Sequence, residues 1–288
     1  MTTDAAPFVD SVLEISLRDI GIPPRPLILE RFRIEMQQDE PDFNRIAGLV
    51  SSDVALAAGL ISTANSSFFG LPSFVSSVRE ALMVLGLDVA SRAIACVMLR
   101  KTFPHSQHLE RFWDASARIA RTSGWLAQRY TQNRLNPDEA YTFGLFRDCG
   151  IAILEARIPG YEGILNEANH DATRNFTAVE KMHLPTNHAM VGSLLAQSWW
   201  LPDEISLAIR DHHDVSAIES PSAKFPQSSC CQIAVAQFAE YLLQQHTGLS
   251  YTEEWSKLGP ACLRVLGIDE ADVKDILIEA IPVIQSEE

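Results

Sequence analysis

The stretch 64-ANSSFFGLPSFVSSVREALMVLGLDVASRAI-94 decides how this chain is read. Gly70 and Pro72 break the backbone between two helical patterns. Asn65 stands before that break, where a carboxamide bonds turn backbone. Ser77-Val78-Arg79-Glu80 has the spacing of a capping box, so a helix is expected to start there. Gly86 reads as its stop, and Asp88 as the cap of a second helix reaching about Arg100. Phe68, Phe69 and Phe74 form an aromatic cluster, expected to pack between two blocks of helices. Ser66 and Ser67 have no base near them in sequence and are not read as nucleophiles.

Outward from this stretch the apolar spacing stays helical, with no run of strict two-residue alternation. Upstream, helix can follow Pro26, and Asp42 opens a short helix with Phe43, Ile46, Ala47 and Val50 on one face. Ser51 or Ser52 is expected to cap the next helix, whose stripe is Leu56, Leu60, Ile61 and Ala64. Downstream, a second block starts near His105 with a long amphipathic helix through Phe112, Ile119, Ala120 and Leu126. Asn136-Pro137 opens another, and Thr177-Ala178-Val179-Glu180 reads as a second capping box. Asn187 caps a helix carrying His188, Val191, Gly192, Leu195 and Trp199, with Trp199 and Trp200 as one buried and one partly exposed ring. A helix after Pro202 places Ile205, Ala208, Ile209 and His212 on one face. Residues 216–229 read as a loop, followed by two or three more helices, the last spanning about Asp269 to Ile284. The expected fold is all-α: a bundle of short helices over 1–104, a helical core over 105–215, and C-terminal helices over 216–288 packed on that core.

The chain has 288 residues, 47% hydrophobic and 21% charged, with a formal net charge of −14. Such an acidic surface repels phosphate backbones and anionic membranes, so neither nucleic acid nor membrane is an expected partner. No run reaches the ~20 apolar residues that span a bilayer, and the first residues, MTTDAAPFVD, lack a basic start. The five cysteines include no CxxC pair and read as reduced thiols, which fits a cytoplasmic protein.

The opening stretch closely resembles the N-terminal signature of the HDOD family, the HD-related output domain of bacterial signalling proteins. The second block resembles that family too: Phe112 to Ser116, then 144-GLFRDCGIAIL-154, then 188-HAMVGSLLAQSWWLPDEISLAIRDHH-213 fall in its order and spacing. The resemblance covers roughly residues 20–215 and implies a fold related to metal-dependent HD phosphohydrolases. Those enzymes hold metal through an early histidine, an adjacent His-Asp pair and a late aspartate, so that a bound water becomes hydroxide. On these motifs the early histidine falls at or next to Ala115, and the pair becomes Arg147-Asp148. The late aspartate falls near Gln237, and the lysine that commonly follows the pair is Ala152. Three of the four ligands implied by the resemblance are therefore replaced.

Arg147 follows Ala140, Phe143 and Gly144 at helical spacing and is expected to face inward, into the former metal pocket. There it would repel a divalent cation and pair with a carboxylate or a bound anion. The other reading of Arg147 is a surface residue beside its aspartate. His188 and His212 share faces with core residues. With Asp148 they either bind a metal loosely or are hydrogen-bonded core residues, and His212-His213 before Asp214 also suits a helix C-terminus. Arg147, Asp148, His188, His212 and His213 are thus the candidate vestigial ligand pocket, with no catalytic residue, metal or cofactor expected. His105, His108, His170, His183 and His246 read as surface or loop residues. The resemblance implies a non-catalytic signalling module that binds signalling proteins or a small anionic messenger, the groove between the two helical blocks being the default place. The alternative is a residual phosphohydrolase using Asp148, His188, His212 and His213.

Overall fold

Among the described residues, seven helices begin on a side chain that takes the first free backbone N–H groups. Asp42 accepts from the N–H of Asn44 at 2.9 Å, Asn136 from Asp138 at 2.9 Å, and Asn187 from Met190 at 2.8 Å. The computed structural model describes residues 20–66, 69, 74–103, 107–132, 134–221 and 225–286. All regular structure among them is helical.

The first block comprises α1 (Leu27–Met36), α2 (Phe43–Ser51), α3 (Val54–Asn65) and α4 (Val78–Thr102). The expected capping box is present: the Glu80 N–H bonds the Ser77 hydroxyl at 3.2 Å, and the Ser76 N–H bonds the Glu80 carboxylate at 3.0 Å. Gly86 adopts φ 72° and ψ 166°, so α4 is two helices joined at a sharp kink, as the glycine stop foretold. Asn65 clamps the loop by bonding both the N–H and the carbonyl of Val75, at 2.7 and 2.8 Å.

Several local expectations need correction. Asp53, not Ser51 or Ser52, caps α3, and its carboxylate accepts from Ala55 and Leu56. A carboxylate one residue on is the stronger acceptor at a helix N-terminus. Phe74 is 79% exposed, whereas Phe69 does reach the second block and packs against Tyr141. Ser67, Phe68 and His105 lie outside the described residues. By length and composition α4 qualifies as long and apolar enough to cross a membrane, which the count of unbroken apolar residues missed. Here Ala81, Leu82, Ala90, Ile94 and Leu99 of α4 lie in the protein core.

The second block runs α5 (Gln107–Tyr130), α6 (Pro137–Phe146), α7 (Cys149–Arg157), α8 (Tyr161–His170), α9 (Phe176–His183), α10 (His188–Ser198) and α11 (Asp203–Asp211). Then follow α12 (Val215–Glu219), α13 (Gln227–Thr247), α14 (Glu254–Leu266), a 3-10 turn and α15 (Val273–Gln285). The stretch read as a loop over 216–229 thus begins with α12, capped by Asp214. Asn175 rather than Thr177 caps α9, which frees Glu180 for another task. Trp199 is buried and Trp200 half-exposed, as expected. The C-terminal α13 is a central element, since it packs on α5, α6, α11 and α14 and carries its polar Gln237 into the core.

Candidate functional site

One close helix crossing, made by two glycines, builds the site. A Cβ on Gly150 would lie 2.0 Å from the carbonyl oxygen of His188, and one on Gly192 would lie 3.1 Å from the Cys149 sulfur. Only glycine lets the N-terminus of α7 touch the first turn of α10. Asp148, just before α7, does not cap its own helix. Its carboxylate turns instead toward the histidines.

One carboxylate and three imidazoles converge there. Asp148 Oδ1 lies 3.1 Å from His212 Nε2 and 3.6 Å from His188 Nε2. His188 Nε2 lies 3.0 Å from His213 Nε2 and 3.4 Å from His212 Nε2. The four donor atoms lie within 4.8 Å of one another. His188 and His212 are almost wholly buried, His213 is 8% exposed and Asp148 18% exposed.

Each ring is oriented through its other nitrogen. His188 Nδ1 sits 2.8 Å from the Glu180 carboxylate, which also accepts the His188 backbone N–H at 3.2 Å. His212 Nδ1 donates to the carbonyl of Ile209 at 2.6 Å. His213 Nδ1 sits 2.5 Å from Glu254, itself ion-paired with Lys257. Tyr161 donates to Glu180 at 2.5 Å, completing a second layer of polar contacts.

On the opposite side of Asp148 lies Arg147, only 3% exposed. Its Nε is 3.0 Å from Asp148 Oδ2, one terminal nitrogen is 2.6 Å from Glu240, and the other donates to Gln237 at 3.2 Å. The inward placement of Arg147 is therefore what the structure has, and the surface alternative falls. The contact with Gln237 joins the residue in place of the family histidine to the one near the late aspartate.

Burial alone would discharge these groups, and their neighbours oppose it. Burial works to lower the Arg147 pKa, but Asp148 and Glu240 raise it overall. Burial works to raise that of Asp148, but Arg147 and His212 hold it well below the usual carboxylate range. Glu240 and Glu254 are pushed up by burial, in spite of Arg147 and Lys257 respectively. His188 is raised because Glu180 outweighs burial, whereas burial and the adjacent His212 and His188 push His213 well down.

All five sequence-selected residues thus share one site. Sequence reasoning missed Glu180, Glu240, Glu254 and Tyr161. The signal for two of them was a carboxylate at a core position: Glu180 follows Phe176 by four residues, and Glu254 precedes Leu258 by four, on buried helix faces. Outside the site, His108 pairs with Glu155 and His183 with Glu167 on the surface.

The HDOD domain profile matches residues 22–215. The chain belongs to the HDOD family. A crystal structure of an HDOD domain protein of unknown function from Geobacter sulfurreducens is 25% identical, covers 92% of this chain and 91% of its own, and has a TM-score of 0.63. Another, from Shewanella amazonensis SB2B and provisionally named a phosphohydrolase, is 20% identical, covers 93% and 94%, and has a TM-score of 0.66. That likeness concerns the fold alone. An uncharacterized protein of Treponema pallidum is 25% identical over 197 residues, 67% of this chain. The HDOD chain spans 38% of that relative's length.

The metal set of hydrolytic HD proteins does not fit here. Ala115 cannot ligate, Arg147 donates only, and Gln237 already accepts from Arg147. Asp148 is the one position of that set that survives, and the three histidines gather at its Oδ1, away from Arg147 at Oδ2.

Proposed function

We propose that this HDOD protein is a non-catalytic signalling module that works by binding, and does not hydrolyse phosphate esters. One observation carries the reading: the Arg147 guanidinium is locked between Asp148, Gln237 and Glu240, a fixed cation where hydrolysis needs a metal with an open position for water. The burial of His188 and His212 adds to this, because a phosphodiester has no contact path to fully enclosed rings.

Binding has a better place between the helical blocks. One cleft there, near Gly59 and Trp113, holds about 80 Å³ and is too small for a messenger. The groove between α1, α4 and the α10–α11 turn holds about 490 Å³ and is lined by Arg33, Arg92 and Trp200 together with the carboxylates of Asp88 and Asp203. Among the described residues Arg92 has no hydrogen-bonded partner on its buried Nε. This charged lining favours a small polar ligand over an apolar helix as the occupant, and Arg92 is the group placed to meet an anionic part of it. The residual phosphohydrolase rests on the gathered Asp148 and histidines.

The test is turnover of phosphomonoesters and cyclic dinucleotides with manganese, zinc or magnesium added, alongside equilibrium binding of the same cyclic dinucleotides. No turnover, with binding weakened at least tenfold by Arg92→Ala, supports the reading. Turnover abolished by Asp148→Ala overturns it.

A further inference from the structure

The end of α10 carries a residue that its backbone does not favour. The Trp200 N–H bonds the carbonyl of Gln197 at 3.0 Å, and the Leu201 N–H bonds that of Ala196 at 2.9 Å. This pair of bonds closes a helix at a position where glycine is the usual residue. Trp200 sits there at φ 62°, a strained backbone for a large L side chain. Strain of this kind points to a task for the side chain.

The indole ring holds two guanidinium groups. The Arg25 Cζ stands 3.2 Å and the Arg33 Cζ 4.0 Å from the ring centre. On one shared face they would collide, so they take opposite faces. Arg25 is anchored further, to the carbonyl of Ser198 at 2.7 Å and to Glu30 at 3.0 Å. The Arg33 side chain has no hydrogen bond or ion pair among the described residues, and only the ring holds it. One flat side of Arg33 rests on Trp200, and the other is left for the groove that both residues line.

The rest of the lining names the ligand. Arg92, Asp88 and Asp203 likewise have no side-chain hydrogen bond or ion pair among the described residues. Two guanidiniums against two carboxylates leave the lining without net charge. A carboxylate only accepts, so the ligand has to bring N–H or O–H donors as well as an anion. Burial raises the pKa of Asp138 and Glu139 at the start of α6, and the charge of Arg92 works against it. Arg92 is thus partly balanced already, and a ligand with one phosphate suits it better than a polyanion. A guanidinium plane stacks on a nucleobase. Guanine alone among the purines of nucleic acids sets a ring N–H beside an amino group, two donors for one carboxylate. Adenine turns a lone pair to the same place. Asp203, three residues from Trp200, is the carboxylate on that side of the groove. A volume of about 490 Å³ is in the range of small-molecule sites.

We propose that the groove binds a guanine nucleotide, with its base stacked on Arg33, the base donors on Asp203 and the phosphate on Arg92. Trp200 is the positioning residue that keeps Arg33 flat. This assignment rests on the groove being the binding site of the signalling module, and it adds the class of ligand.

Calorimetric titration of the full chain with guanosine monophosphate, adenosine monophosphate and inorganic phosphate is the test. The guanine nucleotide should bind about tenfold tighter than the adenine one, the discrimination one bidentate contact gives. Asp203→Asn should abolish most of that preference. Trp200→Gly should weaken guanine nucleotide binding about tenfold, the usual loss with a stacking contact. Glycine suits the helix stop, so this variant keeps the fold. Trp200→Tyr keeps a ring and should restore most of the affinity, although its backbone is as strained as that of the wild type. A purely structural role would reverse this order, with glycine the best residue at position 200. Equal affinity for both bases, lost in Arg92→Ala, overturns the guanine assignment and leaves the groove reading standing. Guanine nucleotide binding undisturbed by both Arg92→Ala and Trp200→Gly overturns both, since the ligand then sits elsewhere. Binding of no nucleotide overturns the assignment and leaves the absence of hydrolysis untouched.

Discussion

Arg147 and Asp148 are adjacent in sequence, and their side chains meet in the same buried volume, Nε 3.0 Å from Oδ2. Arg147 ends α6 and Asp148 precedes α7, so the short turn between the two helices aims both inward. An arginine so enclosed is stable only while its carboxylates stay charged. Removing it leaves Asp148 and Glu240 buried beside each other without a counter-charge.

Arg147→Ala is therefore expected to cost about 3–5 kcal/mol, the usual penalty for orphaning a buried charge. Urea unfolding measures it. Arg147→Ala combined with Glu240→Gln should cost less than the two single changes added together, because the second change removes a charge the first stranded. Additive losses would mean that the arginine does not pair with Glu240 in solution.

The glycine contact between α7 and α10 gives a second expectation. In Gly150→Ala the new methyl group meets a backbone carbonyl at 2.0 Å, which no rotamer can relieve. Overpacking commonly costs about 1–3 kcal/mol, and an immobile neighbour puts this case at the upper end or above. The two helix starts must separate, which also draws Asp148 away from His188. Thermal unfolding and the histidine ring resonances report the two effects. A melting temperature within a degree of wild type would refute the crossing.

How much of this was legible beforehand follows from the range of the interactions. Caps at Asp42, Ser77, Asn136 and Asn187 are set by side chains two or three residues from the N–H groups they serve, so local pattern found them. The five pocket residues emerged because the family motifs mark them. Glu180 and Glu254 did not, because what makes each a ring-orienting group is a partner 8 or 41 residues away. Glu180 was even assigned to a capping box, since its spacing from Thr177 satisfied a local rule that Asn175 had already taken over. Arg147 was ambiguous for a related reason: helix phase turned it inward, but only the carboxylate of Glu240, 93 positions later, makes that burial tolerable.

Asn65 offers a test within the opening motif. Its carboxamide both donates to and accepts from the backbone of Val75, replacing a strand-like pair of hydrogen bonds across the loop. Asn65→Ala should lower stability by about 1–3 kcal/mol, since two half-buried backbone groups lose their partner. Asn65→Asp keeps the acceptor for the Val75 N–H but sets a carboxylate against the Val75 carbonyl, so it should rescue little. Amide exchange at Val75 should rise in both variants, and unchanged protection there would contradict the clamp.

Acid sensitivity should be readable at Asp53. It caps α3 and also pairs with Lys101 of α4 at 2.6 Å, which ties two helices of the first block. The hydrogen bond from Lys101, then the backbone N–H of Leu56, holds its carboxyl below the ordinary 3.8. A depressed carboxylate adds stability above its unfolded pKa, and that contribution disappears as pH falls through the folded value. Asp53→Asn keeps a good cap but not the charge. The variant should thus have a lower urea midpoint than wild type at pH 7, and the gap should close at pH values below 3.8. Because the pair is largely exposed, salt should shrink the gap at pH 7 as well. A gap that persists unchanged in acid would assign the loss to packing at position 53, and the ion pair would then contribute nothing to holding α3 against α4.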